Sequence, residues 1–381
     1  MRKAELPALT GIRFYAALAV YLSHITTIPG MDALGGDKLL FNVGVVGVSV
    51  FFVLSGFILT YNYADHFESG VSAKQYKHFI WDRLTKIYPV HFAVLLVMIP
   101  LQIYSPNLPL DWRAVPFHFF LLQCFWPYSH PAFYTYLNVP SWSISCEWFF
   151  YLFAPITIFM AYGQLRRWLI FIILLLYAAG LGLVLSYNPS EYNRLVLVSW
   201  FAPSRFIEFA TGIFLARAFI KMRLENPVVL SAIAQISGLL LLVVGAFYRK
   251  YSPWPLHGGL LYLPGSALLI FGLALGRGFF VSHLSSPGLK RLGLASFSFY
   301  LIHAPVIRIT KGVCLKLHWA VNSWTAYWLV AAVMFVLIQF SAFLVYHGYE
   351  MPIQQRLRGV FRTDGRKETS KLVKSSTPDF A

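Results

Sequence analysis

Apolar runs of spanning length recur down the chain, each bounded by charges or turn residues, and an α-helix needs about 20 residues to cross the hydrocarbon of a bilayer. Ten can be read, at residues 7–28, 42–64, 87–106, 140–162, 166–187, 194–219, 228–248, 257–276, 292–312 and 324–348. The pattern predicts an all-α membrane protein, a polytopic bundle of about ten transmembrane helices. The runs at 140–162 and 194–219 each mix several polar groups into the apolar stretch. Between the third and fourth runs lies a long, aromatic, proline-punctuated segment, 107–139. Its apolar stretch Phe117–Phe125 is too short to span, so it is either re-entrant or lies at the outer interface.

The first run contains LTGIRFYAALAVYLSH, residues 9–24, in which Arg13 and His24 stand eleven positions apart in an otherwise apolar segment. At 3.6 residues per turn those steps close almost to whole turns, so both side chains leave from one face, about 16 Å apart along the axis. An ionisable group at the bilayer centre costs at least about 2.5 kcal/mol. The stripe therefore predicts a polar cavity inside the bundle, with the other elements arranged around it.

Composition agrees with the membrane reading: 58% of residues are hydrophobic and 12% charged, where soluble domains carry about 25%. The aromatic fraction of 18% reads as bulk packing and interfacial surface. A net charge of +16 would suit nucleic acid, but its distribution points to topology instead. Of 31 Lys and Arg, 21 fall in the termini and alternate loops of one side, eight on the other, and Arg13 and Arg205 lie within runs. The positive-inside rule then puts both termini in the cytoplasm, and no nucleic-acid partner is implied. Cys124, Cys146 and Cys314 have no spacing for zinc or a disulfide framework, and no metal site is read. The first run lacks a tidy cleavage site and is expected to stay as the first helix. The tail 356–381 is basic and polar, and reads as a disordered or surface-bound cytoplasmic segment. No internal repeat is visible, which counts against the common transporter architectures.

Several polar groups fall inside or beside the runs. Gly44, Gly47, Ser49, Ser55 and Gly56 allow close helix packing. No G-x-S-x-G elbow or Walker loop is present. Arg83 and Lys86, three apart on one helical face just ahead of Tyr88 and Pro89, can grip a phosphate or simply anchor the cytoplasmic side. Glu147 enters the fourth run beside Trp142 and must be paired, protonated or hydrated. Arg205 and Glu208, at i and i+3, are spaced for an internal salt bridge. Tyr300 and His303 share a face in the ninth run, and Tyr349-Glu350-Met351-Pro352 closes the last.

Taken in order, Arg13 and His24, FFVLSGF at 51–57, the basic pair before Tyr88-Pro89, SWSISCEWFFY at 141–151, RFIEFATG at 205–212, SFYLIHAP at 298–305 and EMP at 350–352 resemble the acyltransferase family 3 proteins. The resemblance covers residues 5 to about 355, so residues 1–355 read as one transmembrane acyltransferase domain followed by the tail. It implies a multi-pass enzyme of the bacterial inner (plasma) membrane. The enzyme would have no permanently bound cofactor, acetyl-CoA or another acyl-CoA as co-substrate, and a carbohydrate or lipid-linked glycan as acceptor. His24 and Arg13 match the family's essential pair. Arg83, Lys86 and Tyr88 fall where the donor's phosphates are expected, with Lys86 in the place of a second arginine, which keeps the charge but loses bidentate geometry. Ser55, Trp142, Glu147, Arg205, Glu208, Tyr300 and His303 would form a supporting polar site. Cys146 stands where a second acidic or small residue is common, and no SGNH hydrolase-like domain is expected after the membrane part.

On that resemblance neutral His24 serves as general base towards the acceptor hydroxyl, or carries the acyl group itself as an acyl-histidine; the sequence leaves both routes open. Two other classes compete. A proton-coupled exporter would use His24, Glu147, Arg205 and His303 as a relay and consume no acyl-CoA. A scaffold subunit of a polysaccharide-assembly complex would tolerate changes at every polar site. The charge count itself makes a direct prediction: a reporter that is active only in the cytoplasm, fused to either terminus, is active at both ends.

Overall fold

The computed structural model describes residues 4–34, 37–104, 111–126, 136–186, 196–222, 227–249 and 258–359. Every regular element among them is helical: α1 Pro7–His24, α2 Asp37–Phe67, α3 Ala73–Ile103, α4 Val115–Phe119, α5 Ser141–Tyr162, α6 Gln164–Ser186, α7 Ala202–Lys221, α8 Val228–Tyr248, α9 Leu263–Ala274, α10 Phe279–Leu284, α11 Pro287–Leu294, α12 Ser296–Lys316 and α13 Trp324–Val345. Short 3₁₀ turns link some of them, and two π turns occur, Val196–Trp200 before α7 and Tyr346–Glu350 after α13.

Among the described residues, six helices are long and apolar enough to cross a membrane, namely α1, α2, α3, α5, α8 and α13 with its continuation to Gly359. A seventh crossing is reached if α11 and α12, bent by 60° at their junction, are taken as one span. The chain is therefore a multi-pass helical membrane protein. Three of the ten runs read from sequence do not reach spanning quality, for separate reasons. The run at 194–219 gives α7, which is 20 residues long but carries Arg205, Glu208, Arg217 and Lys221. The run at 257–276 gives only the 12 residues of α9, and that at 166–187 gives α6, with Phe171–Leu183 as its apolar core.

Boundaries shift where local signals override the apolar pattern. The helix expected from residue 87 begins at Ala73, because Ser72 and Gln75 form a reciprocal capping box. Arg83 and Lys86 consequently sit inside a rigid helix and not in a preceding loop. Residues 117–125 do not span: α4 is one turn, and Leu121 then turns the chain with φ +56°. The Ser145 hydroxyl donates to the Leu121 carbonyl (2.7 Å) and accepts from the Cys124 N–H (3.1 Å), docking this irregular backbone on the first turn of α5. Buried non-helical backbone is tolerated because these bonds replace water. Residues 107–110 and 127–135 of the aromatic segment and 360–381 of the tail lie outside the described residues.

The bundle is assembled around α2, which packs on α1, α5, α7 and α9. Glycines set the closest approaches. A Cβ at Gly47 would strike the Ala16 carbonyl of α1, while Gly56 and Gly212 face one another's helices so that a Cβ on either would meet the Phe209 or Val53 carbonyl. The glycines in the second apolar run are thus helix-contact points, as small residues in membrane helices commonly are. Gly212→Leu is expected to lower stability by about 1–3 kcal/mol or more through overpacking, seen as a lower unfolding midpoint in detergent. Gly180→Leu, at an exposed site with open space around it, is expected to leave that midpoint unchanged.

Candidate active site

A cavity with about 180 Å³ of free space opens among the described helices. Its walls come from the first half of α1, the second half of α2, the middle of α3, the first half of α5 and the start of α12. These contribute Arg13, Ser55, Arg83 and Lys86, Glu147, and Tyr300 respectively, so six of the residues read from sequence converge there. Sequence separations of up to nearly 290 positions are closed by the packing of α1 and α3 against α12.

The cavity is cationic, with Arg13, Arg83 and Lys86 set against a single lining carboxylate, Glu147, on which all three act electrostatically. Tyr151, one turn along α5, donates its hydroxyl to Glu147 at 2.8 Å. The three cations are held differently. Lys86 is ion-paired to Glu350, in the π turn after α13, and Glu350 is itself buried and accepts from the Ser298 hydroxyl at 2.5 Å. Arg83 donates to the Tyr63 hydroxyl at 3.1 Å, Tyr63 donates to Asp82 at 2.9 Å, and Asp82 pairs with Arg358 at 3.2 Å. Of Arg13, Nε is buried with no hydrogen-bond partner among the described residues, and the same holds for Nε of Arg83. Buried N–H groups are ordinarily satisfied, so these two guanidinium groups keep donors available for an anionic guest.

Also lining the cavity, the Tyr300 and Ser143 hydroxyls are hydrogen-bonded to each other at 2.6 Å. One helical turn beyond Tyr300, His303 meets His24, the last residue of α1, with His24 Nδ1 and His303 Nε2 2.6 Å apart. Of the stripe predicted on α1, Arg13 faces the cavity, whereas His24 engages α12, the helix that supplies Tyr300. His24 itself is partly buried and lies beyond the cavity's lining.

The remaining predicted residues are placed elsewhere. Arg205 and Glu208 form a two-pronged buried pair, Nε to Oε2 at 2.5 Å and Nη2 to Oε1 at 3.1 Å, and Arg205 also donates to the Ser199 carbonyl of the π turn at 3.0 Å. The guanidinium lies over the Phe52 and Trp142 rings, 5.0 and 5.6 Å from their centroids, so this unit backs the cavity wall at Phe52. Tyr88 packs into an aromatic group with Phe92 and Phe119, away from the cavity. Sequence reading assigned no role to Glu350, Ser143 or Tyr151. Glu350 had a signal, a carboxylate closing an apolar run, but its partner Lys86 lies 264 residues away.

Spanning helices that enclose a charged internal cavity define a multi-pass membrane protein. The chain belongs to the acyltransferase family 3, whose acyltransferase domain matches residues 6–346. It is 33% identical over 331 residues to the acyltransferase MdmB of Streptomyces mycarofaciens, covering 81% of this chain and 80% of that one. It is 25% identical to the peptidoglycan O-acetyltransferase OatA of Listeria monocytogenes, covering 92% of this chain and 56% of the relative. The exopolysaccharide production protein ExoZ of Rhizobium meliloti is 29% identical, over 71% of this chain and 78% of its own. Against OatA the chain thus spans little more than half the relative's length. No solved structure matches the chain. The protein is a membrane acyltransferase.

The closed geometry of Arg205 and Glu208 makes a separate prediction. Arg205→Met, which strands a buried carboxylate, is expected to lose about 3–5 kcal/mol. Adding Glu208→Leu recovers most of that loss, measured as a double-mutant cycle of unfolding in detergent.

Proposed function

We propose that the protein transfers an acetyl or other short acyl group from acyl-CoA, bound from the cytoplasmic side, to a hydroxyl of a cell-surface or lipid-linked carbohydrate in the bacterial inner membrane. The observation that carries this reading is the cavity's make-up: guanidinium donors and hydroxyls share one lining, and Tyr300 in that lining stands one helical turn from the His24–His303 pair. The names of two relatives, a peptidoglycan O-acetyltransferase and an exopolysaccharide production protein, support a glycan acceptor.

In this reading residues 1–355 act as one catalytic unit with both termini in the cytoplasm. Arg83 and Arg13 take the donor's phosphates and the start of its pantetheine arm, since charge-assisted bonds to phosphate suit guanidinium forks. Lys86, already paired with Glu350, contributes positive potential and shape more than a free charge. The arm runs past Ser55 and Glu147 and brings the thioester to the Tyr300 end. There the acceptor oxygen attacks the thioester carbonyl while His24 removes its proton, and collapse of the tetrahedral intermediate expels the CoA thiolate, which recovers the proton. Glu147, Tyr300, His303, and more remotely Trp142, Arg205 and Glu208, hold the surroundings of these groups. Tyr88 acts only through the packing of α3.

General-base catalysis contributes about 10²–10⁴ in rate. His24→Ala is therefore expected to lower acyl transfer from acetyl-CoA by at least about 10² in purified, reconstituted protein. Arg83→Ala is expected to raise the KM for acyl-CoA, with a smaller effect on kcat. Release of free CoA in the presence of acceptor is the readout. Near-normal release by the His24 variant would overturn the reading, and substrate flux without CoA release would favour an exporter.

A further inference from the structure

The two basic residues that α3 contributes to the cavity each have a carboxylate in reach, and the two carboxylates are placed in opposite ways. Glu350 touches the Lys86 ammonium directly, so that charge is matched. Asp82 is kept one hydroxyl away from Arg83. Arg83 Nη2 donates to the Tyr63 hydroxyl at 3.1 Å, and the same hydroxyl donates to Asp82 Oδ2 at 2.9 Å. The other carboxylate oxygen, Oδ1, pairs with Arg358, whose Nε is 3.2 Å away. Both oxygens of Asp82 are therefore engaged by groups other than Arg83, although the Arg83 guanidinium stands within two hydrogen-bond lengths of them.

The other groups that hold Arg83 are neutral as well. Its guanidinium carbon lies 5.4 Å from the Tyr63 ring centroid and 5.8 Å from that of Phe79, and these two rings meet edge to face at 5.0 Å. Hydroxyls and aromatic rings orient a guanidinium without cancelling its charge. A carboxylate in direct contact would orient it and cancel the charge together.

Arg358 reaches Asp82 from the chain beyond the last long helix. The α13 helix continues through the π turn to Gly359, and this extension runs antiparallel to α3. The Tyr349 hydroxyl donates to the Pro89 carbonyl at 3.2 Å, Glu350 pairs with Lys86, and Trp81 Nε1 donates to the Leu357 carbonyl at 2.9 Å. From Pro89 back to Trp81 the partner moves forward from Tyr349 to Leu357, the residue before Arg358. The register that pairs Lys86 with Glu350 thus also seats Arg358 on Asp82.

We propose that Arg358 is a positioning residue which, together with Tyr63, keeps the Asp82 carboxylate from capturing Arg83, so that the Arg83 charge stays available to an anionic ligand in the cavity. Arg358 acts through Asp82 and does not touch the ligand. Without Arg358, one oxygen of Asp82 loses its partner, and the Arg83 guanidinium, whose Nε has no hydrogen-bond partner among the described residues, is in reach of it. The consequence for acyl-CoA rests on Arg83 meeting the donor's phosphates.

Steady-state acyl transfer by the reconstituted full-length protein tests this. Arg358→Gln is expected to raise the KM for acyl-CoA about three- to fivefold, the strength of a partly exposed ion pair, with kcat little changed; the Arg358 and Asp82 side chains are 37% and 17% exposed. Arg358→Lys, which keeps the charge, is expected to stay near the original KM. Adding Asp82→Asn to Arg358→Gln is expected to bring KM most of the way back, because the competing charge is gone. If Asp82 only braced Arg83, or Arg358 only pinned the C-terminal extension to α3, the double variant would be no better than Arg358→Gln. That result, or an unchanged KM in Arg358→Gln, overturns the inference. Arg83→Ala measured alongside separates the two levels. A raised KM in Arg83→Ala with no effect of Arg358→Gln overturns the role of Arg358 alone, whereas an unchanged KM in Arg83→Ala overturns the reading of Arg83 as a donor contact and the role of Arg358 with it.

Discussion

A charge inside a membrane protein must be partnered or face a wet cavity, and in this bundle the ion pair of Lys86 and Glu350 is where that requirement shapes the most structure. It ties the third helix to the turn after the last one, with Ser298 of α12 bonded to the same carboxylate. Three helices distant in sequence are thereby fixed around the basic end of the cavity. The π turn that presents Glu350 fits this pattern, since such turns interrupt regular helices where a side chain has to be aimed.

Against that background the other cations divide by how completely they are satisfied. Arg205 spends its donors on Glu208 and Ser199 and lies over two aromatic rings, which makes it part of the wall. Arg83 is steadied from behind by Tyr63 and Asp82, yet it and Arg13 each keep a buried donor without a partner among the described residues. Desolvated, unsatisfied guanidinium groups cost stability in the absence of a ligand. Two of them in one cavity make its wall cationic and incompletely satisfied among the described residues.

The histidine pair joins α1 to α12 through the contact of His24 Nδ1 with His303 Nε2. The α1 helix connects the two regimes, with Arg13 in the cationic wall and His24 against α12, about 16 Å of helix between them. Tyr300, hydrogen-bonded to Ser143, stands at the join.

By itself the sequence determined the helical class, the membrane setting, the shared face of Arg13 and His24, and the i, i+3 pairing of Arg205 with Glu208. All of these follow from periodicity or from the expense of charge in hydrocarbon, which are local properties of the chain. Its ordered motifs also pointed to the family to which the chain belongs. Reading spans from apolarity alone overcounted them: α7 is long but too charged and α9 too short, because a helix shielded by neighbours need not be apolar throughout its length. Only the tertiary structure decided that Lys86 answers to Glu350, that Tyr88 turns away, that Ser143 reaches Tyr300, and that His303 bonds His24. Each of those contacts joins residues on different helices, and no repeat or spacing along one chain encodes which face of one helix will meet which face of another.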